Sequence, residues 1–353
     1  MRSQRWSGLD HLLALTDDVG VLQHATLDVP NRACGYCTDD VGRALIVACD
    51  AAAEPVTEGE AAKLVTTYLA FLHDAQLADG WFHGFMGYDR RWQDDRGSPD
   101  AVGRAIWGLG YAERHACRSS WRVVASRLRR AALPAVPKLG HLRSGAYAAL
   151  GLAHAASAQP NDLQAVREAL DAAARSIAAA YDAHAAGDWR WCEDVMTYDN
   201  GRLPEALLRA AQVLANEGYA ERGLAMLEFL TAATIENGMF APVGNAGWYP
   251  RGGTKARFAQ QPLEAAALVD AALAAYALTR NGRWRGIAEI AHAWFLGHNV
   301  LGAELAREGG CCDGLDAHGM NANMGAESTI AYLMSTNALA SLAGLAPSLR
   351  LVR

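Results

Sequence analysis

Twelve carboxylates fall in or beside the glycine- and tryptophan-rich stretches that separate the chain's alanine-rich segments: Asp39, Asp40, Asp94, Asp95, Asp100, Glu193, Asp194, Asp199, Glu264, Asp313, Asp316 and Glu327. Trp81, Trp92, Trp189, Trp191 and Trp248 lie in the same stretches, with Tyr36, Tyr88, Tyr198, Phe240 and Tyr249. Two carboxyls across one bond, one protonated and one ionised, are what glycoside hydrolysis needs. Flat aromatic faces suit the apolar C–H faces of pyranose rings. The sequence offers two environments that would split a carboxylate pair. Asp194 follows the aromatic run Trp189-Arg-Trp-Cys-Glu193, where desolvation favours the protonated form, whereas Asp40 and Asp199 precede Arg43 and Arg202 by three residues.

Asp40, Asp194, Asp199 and Glu327 are therefore the catalytic candidates, expected to converge. Asp194 is expected to be the acid, with Glu193 turned away to an arginine such as Arg190, because adjacent residues of an extended loop point opposite ways. Asp39, Trp81, His83, Trp92, Trp191, Glu193, Tyr198, Arg202, Trp248, Tyr249, Gln261 and Glu264 make up the expected substrate-binding set, with Trp191, Trp248 and Tyr249 as platforms. Each group has a plainer reading. Asp40, Asp100 and Asp199 stand where helix caps stand. The aromatics would equally serve to plug a bundle of loops. Arg43, Arg104 and Arg202 recur at equivalent positions and would tie helices together.

Composition narrows the class. Of 353 residues 51% are hydrophobic and 20% charged, enough for a large core and incompatible with a disordered chain. The net charge of −6 comes without a basic block, which argues against nucleic acid and anionic membrane as partners. Aspartates interrupt the first residues too early for a secretory signal, and the apolar stretches are broken well short of the ~18 residues of a membrane span, so a cytoplasmic location is expected. Seven cysteines include Cys34-Gly-Tyr-Cys37 and the adjacent Cys311 and Cys312, with no second spaced pair, so no metal is expected. No Gly-x-Gly-x-x-Gly, P-loop or Gly-x-Ser-x-Gly string occurs, and no cofactor is expected.

What must hold these residues in place is a repeat. Six times a loop rich in Gly, Trp and acidic residues runs into a helix of small apolar residues, at residues 38, 98, 143, 198, 260 and 325. The string Asp-(x)-x-Gly-Arg marks three of these junctions, at Gly42-Arg43, Gly103-Arg104 and Gly201-Arg202. Between them lie charged amphipathic helices at Leu9–Leu22, Glu58–Ala75, Ser120–Ala132, Asp162–Tyr181, Tyr219–Ala233 and Arg283–His298. Twelve helices in six hairpins predict an all-α (α/α)6 toroid over residues 1–353, a single catalytic domain with small-residue helices inside. Strand signals are confined to Met239–Val243 and the stretch around Trp81–Met86. The loops before the inner helices are long and the turns after them short, so one face collects all six long loops. An open solenoid that binds partners is the alternative architecture.

The strings Gly35-Tyr-Cys-Thr-Asp-Asp-Val-Gly-Arg-Ala-Leu45, Trp191-Cys-Glu-Asp-Val-Met-Thr-Tyr-Asp-Asn-Gly-Arg-Leu-Pro204, Asn245-Ala-Gly-Trp-Tyr-Pro-Arg-Gly-Gly253, Gln260-Gln-Pro-Leu-Glu264, Gly309-Gly-Cys-Cys-Asp-Gly314 and Gly325-Ala-Glu-Ser-Thr329 resemble a bacterial family of the six-hairpin glycosidase superfamily. Its members occur alone or fused behind glycosyltransferase domains, often beside mannoside phosphorylase or mannosidase genes. The resemblance implies a glycosidase, or a phosphorolytic relative, acting on mannose- or glucose-containing oligosaccharides. Related sequences tend to read Thr-Asp-Asp-Asn-Ala-Arg-Ala at residues 38–44, so Val41 here would remove a polar sugar contact. Two alternatives stay open. A sugar 2-epimerase on this barrel would use histidine pairs, for which His83, His141 and His318 are the loop candidates. A glycan-binding toroid would need the aromatics without the paired carboxyls.

Overall fold

The repeat's Gly-Arg step has a mechanical reason in the computed structural model, which describes residues 8–54 and 57–342. A Cβ at Gly42 would lie 2.6 Å from the carbonyl oxygen of Arg104, at Gly103 2.4 Å from that of Ser144, and at Gly201 2.5 Å from that of Ala267. Each glycine lets the backbone of the next inner helix come into contact, and the arginine beside it then projects into the space the helices enclose.

The helices are α1 (Asp10–Leu15), α2 (Thr38–Ala52), α3 (Glu58–Ala75), α4 (Pro99–His115), α5 (Ser119–Ala132), α6 (Leu142–Ser157), α7 (Leu163–His184), α8 (Arg202–Leu214), α9 (Glu217–Thr234), α10 (Pro262–Thr279), α11 (Gly282–Ala293) and α12 (Ala326–Leu342). The even-numbered helices pack in the order α2, α4, α6, α8, α10, α12, and α12 packs back on α2. The ring is closed, so the chain is an (α/α)6 toroid and not an open solenoid. The odd-numbered helices lie outside it, each against an inner neighbour. By length and composition α10 would be apolar enough to cross a membrane, but its apolar surface is buried between α8, α12 and α11.

Helix starts follow side-chain chemistry. Ser98 caps α4 by accepting from the N–H of Ala101, with Pro99 in the first turn, and Asn216 and Asn281 cap α9 and α11. None of the three aspartates placed at cap positions is a cap. Asp40 is inside the first turn of α2 and bonds Arg43, Asp100 accepts from Ser144 and Tyr198, and Asp199 accepts from Tyr147.

Two elements differ from the sequence reading. α1 stops at Leu15, because the Thr16 hydroxyl bonds Leu12 O (2.8 Å) and the Asp17 carboxylate accepts from Val19 N (2.8 Å), which turns the chain out of the helix. The strands are also more numerous, though none exceeds three residues. Tyr36–Cys37 pairs with Phe85–Met86, Val195–Met196 with Tyr249–Pro250, and Ile235–Glu236 with Met239–Phe240, so these ladders stitch loops together and build no sheet of the core.

Close packing at these glycines is testable. Gly103→Ala is expected to cost about 1–3 kcal/mol in denaturant unfolding, the usual cost of overpacking. Gly145→Ala on α6, where a Cβ meets nothing within 4 Å, is expected to be neutral or to stabilise.

Candidate active site

The first turns of the inner helices meet on the long-loop face around a cavity of ≈ 500 Å³. Its floor is one charged cluster: Asp39, Asp40 and Arg43 from α2, Arg104 from α4, and Glu327 from α12. Arg43 donates from Nη2 to Asp40 Oδ1 at 2.7 Å, and the same nitrogen lies 3.0 Å from Glu327 Oε2. Those two contacts hold the two oxygens no more than 5.7 Å apart. Arg104 Nη1 lies 3.2 Å from Asp39 Oδ2 and 3.6 Å from Glu327 Oε2.

Three carboxylates thus face two guanidiniums. Burial pushes the Asp40 carboxyl up to about 7; Arg43 opposes this, and Glu327 and Asp39 reinforce it. Burial also raises Asp39, against the pull of Arg104 and Arg43. Glu327 goes the other way. Its depth in the protein disfavours charge, but Arg43 and Arg104 outweigh that and hold it below the usual carboxylate value. Its side chain is 38% exposed through the cavity, against 9% for Asp40. The site therefore pairs a carboxyl that keeps its proton near neutrality with one that stays ionised.

A second layer supports this floor. Arg104 Nη2 donates to Tyr147 OH (3.1 Å) and lies 3.5 Å from Asp199 Oδ2, to which Tyr147 also donates (2.7 Å). Asp199 takes a left-handed conformation (φ 49°), and Glu264 pins that turn by accepting from the backbone N–H groups of Asp199 and Asn200. Burial, with Asp199 close by, pushes Glu264 up to about 8. Arg202 bonds Glu205 (2.8 Å) and Asp270 (2.6 Å) and covers the Trp107 ring. Asp199, Arg202 and Glu264, expected to meet substrate, do not line the cavity.

Asp194 is a further correction. Its side chain is 67% exposed and pairs with Arg251 (3.3 Å) on the surface. Alternation does separate it from Glu193, but in the opposite sense. Glu193 turns in to Arg143 of α6, 2.9 Å to each oxygen, and Arg190 is not its partner. The ladder of Val195–Met196 with Tyr249–Pro250 fixes that orientation.

The expected aromatics hold the loops together. Trp191 is fully buried, and Trp81 is buried with Nε1 donating to Gly97 O. Trp92 stacks on His83, which bonds Asp94. Tyr249 packs edge-on against Trp189, and Tyr198 donates to Asp100 beneath Arg143. None of these, nor half-buried Trp248, lines the cavity. Asp39 and Gln261 do, as do Asp40 and Glu327. Val41 is fully buried, so the residue at that position meets the core and not a ligand.

Sequence reasoning missed Gln23, His24, Asn245, Asn321 and Phe85, all of which line the cavity. Phe85, 44% exposed, is the one Phe, Tyr or Trp among them. Its signal was faint: it alternates with buried Met86 on a two-residue strand. Among the described residues no group of three or more His, Cys, Asp or Glu is arranged to hold a metal ion.

No family model matches the sequence, and no curated protein does. Solved structures do match. A cellobiose 2-epimerase from Bacillus thermoamylovorans B4167 superposes with a TM-score of 0.71 at 11% identity, over 96% of each chain. A D-mannose isomerase gives 0.69 at 11% identity, also over 96% of each chain. An α-1,6-mannanase from Salegentibacter sp. HEL1_6 gives 0.60 at 12% identity, over 96% of this chain and 97% of the other. These structures share the (α/α)6 toroid fold with this chain. At such identities the likeness concerns the fold alone.

Plug and platform separate experimentally. Trp191→Ala is expected to cost about 3–5 kcal/mol of stability, as for a large buried aromatic, with ligand affinity of the folded fraction unchanged. Phe85→Ala is expected to do the reverse, leaving the unfolding midpoint in place and weakening, in calorimetric titration, the binding of a ligand that enters the cavity.

Proposed function

We propose that the protein is a carbohydrate-active enzyme, a glycoside hydrolase acting on mannose- or glucose-containing oligosaccharides, with Asp40 as general acid and Glu327 as its ionised partner. The observation that carries this reading is the shared guanidinium nitrogen of Arg43, 2.7 Å from Asp40 and 3.0 Å from Glu327 at the base of an open cavity. In the first step Asp40 protonates the departing glycosidic oxygen while Glu327 attacks the anomeric carbon. Water then cleaves the glycosyl ester, giving its proton back to Asp40. The nearest oxygens of the two carboxyls, no more than 5.7 Å apart, are compatible with the ~5–5.5 Å spacing of a double displacement. Asp39, Gln260, Gln261 and Asn245 offer the hydrogen bonds that sugar hydroxyls take, and Phe85 the apolar face.

The solved structures similar to this chain include mannanases, epimerases and an isomerase, all sugar enzymes by name. A variant of the Salegentibacter mannanase with two consecutive aspartates replaced by alanine is inactive and binds α-1,6-mannotetrose. Asp39 and Asp40 are a consecutive pair in the cavity of this chain, which supports the carboxylate reading. His24 is the one histidine among the described lining residues, where a histidine-pair epimerase would want two.

The test is a screen of manno- and gluco-oligosaccharides for released reducing ends, with and without phosphate. On the substrate found, Asp40→Asn and Glu327→Gln are each expected to lower turnover at least ~10²-fold, the scale of lost acid–base catalysis. Asp194→Asn is expected to leave it unchanged. Turnover should fall as the pH rises through about 7, because Asp40 must carry its proton. Formation of a 2-epimer without bond cleavage would sink the hydrolase reading.

A further inference from the structure

Of the five carboxyls in the cavity wall, four are bound to the protein. Arg43 holds Asp40 and Glu327, and Arg104 holds Asp39. Asp313 accepts from the Ser328 hydroxyl (2.6 Å), from the N–H of Gly325 (3.2 Å) and from Asn323. The fifth, Asp316, is exposed, and among the described residues its carboxylate enters no ion pair and accepts no hydrogen bond.

The backbone nevertheless holds Asp316 in place. It ends the strand Gly314–Asp316, which pairs with Gly319–Asn321. Leu315 is fully buried and exchanges two backbone hydrogen bonds with Gln260, of 2.9 and 3.0 Å, while Asp313 ties the start of the strand to the first turn of α12. Side chains alternate along a strand, so burial of Leu315 leaves Gly314 and Asp316 on the cavity side, beside Gln260 and Gln261. The basic side chains of the wall are Arg43, Arg104 and His24, and each guanidinium is already shared by at least two carboxylates. The first N–H groups of α2 and α12 are also taken, Thr38 by Gly84 O and Ala326 by Gln23 O. An anion entering here would find no free guanidinium, whereas a hydroxyl would find a free acceptor in Asp316.

We propose that Asp316 is a specificity-determining residue of this cavity, accepting hydrogen bonds from the hydroxyls of an uncharged sugar and barring phosphate and anionic sugars. This role rests on the glycosidase reading and narrows it: the substrate is a neutral saccharide, and water, not phosphate, releases the glycosyl group from Glu327. A negative charge brought beside an unpaired carboxylate is repelled, and a half-enclosed cavity screens that repulsion less than an open surface does.

Mannobiose, cellobiose, their C6-oxidised uronates and inorganic phosphate should be titrated by calorimetry into the full-length protein, into Asp316→Asn and into Asp316→Ala, and the neutral sugars assayed for cleavage with and without phosphate. The wild type is expected to bind a neutral disaccharide at least about tenfold more tightly than its uronate, to show no saturable phosphate binding and to form no sugar 1-phosphate. Each substitution should weaken the neutral disaccharide at least about tenfold, the scale of a lost hydrogen bond to a charged acceptor, and should narrow its lead over the uronate. Asp316 is exposed, so an unchanged unfolding midpoint is expected to accompany both variants. Neutral-sugar affinity untouched by both substitutions, a uronate bound as tightly as its neutral parent, or formation of a sugar 1-phosphate would each overturn the proposal, with the cavity still a saccharide site. Absence of any saccharide binding or cleavage would remove the glycosidase reading and this role together.

Discussion

Two buried guanidiniums, Arg43 and Arg104, sit where the inner helices meet, each 5% exposed. A buried cation without partners costs several kcal/mol, so the closed ring requires carboxylates at this point. They come from α2 (Asp39 and Asp40), from α12 (Glu327) and from the turn before α8 (Asp199). One electrostatic requirement thus joins helices that are distant in sequence. Burial, reinforced by the neighbouring carboxylates Glu327 and Asp39, leaves Asp40 with a proton near neutrality, while Arg43 and Arg104 keep Glu327 charged. Structural necessity and the proposed chemistry use the same side chains.

The backbone sets the precision of that arrangement. Arg43 follows Gly42, and Gly42 is the residue on which the carbonyl of Arg104 rests. The glycine that permits the helix contact therefore also brings the two arginines side by side. Arg104 is then held from below by Tyr147 and Asp199, and Asp199 by Glu264, so the floor has little freedom to rearrange. Such layering is how a rigid scaffold keeps reacting groups in place without help from mobile loops.

The toroid was legible because its signals are periodic and local: charged against small-residue helices, Ser and Pro at helix starts, and long loops always on the same side. The junction strings also located Asp40, Glu327, Asp39 and Gln261 at the cavity, whereas Arg202 and Glu264, in the first turns of α8 and α10, lie behind it. Loop residues were not legible in this way. Asp194 and Glu193 were assigned to the wrong sides because alternation gives a period but no phase, and the phase comes from a two-residue ladder with Tyr249–Pro250, over 50 positions away. The tryptophans misled for a related reason: composition cannot tell an aromatic that packs a loop from one that faces a ligand. Exposed Phe85 carried only a faint signal, its alternation with buried Met86 on a two-residue strand.

The central claim is that Glu327 and the burial of Asp40 jointly keep a proton on Asp40. It is tested most directly by following the Asp40 carboxyl itself, as ¹³C chemical shift against pH, in the wild-type protein and in Glu327→Gln. The account predicts a wild-type midpoint near 7 that moves down when Glu327 loses its charge, because one of the carboxylates raising Asp40 has gone. A midpoint near the ordinary carboxylate value in the wild type, unmoved by Glu327→Gln, would contradict it.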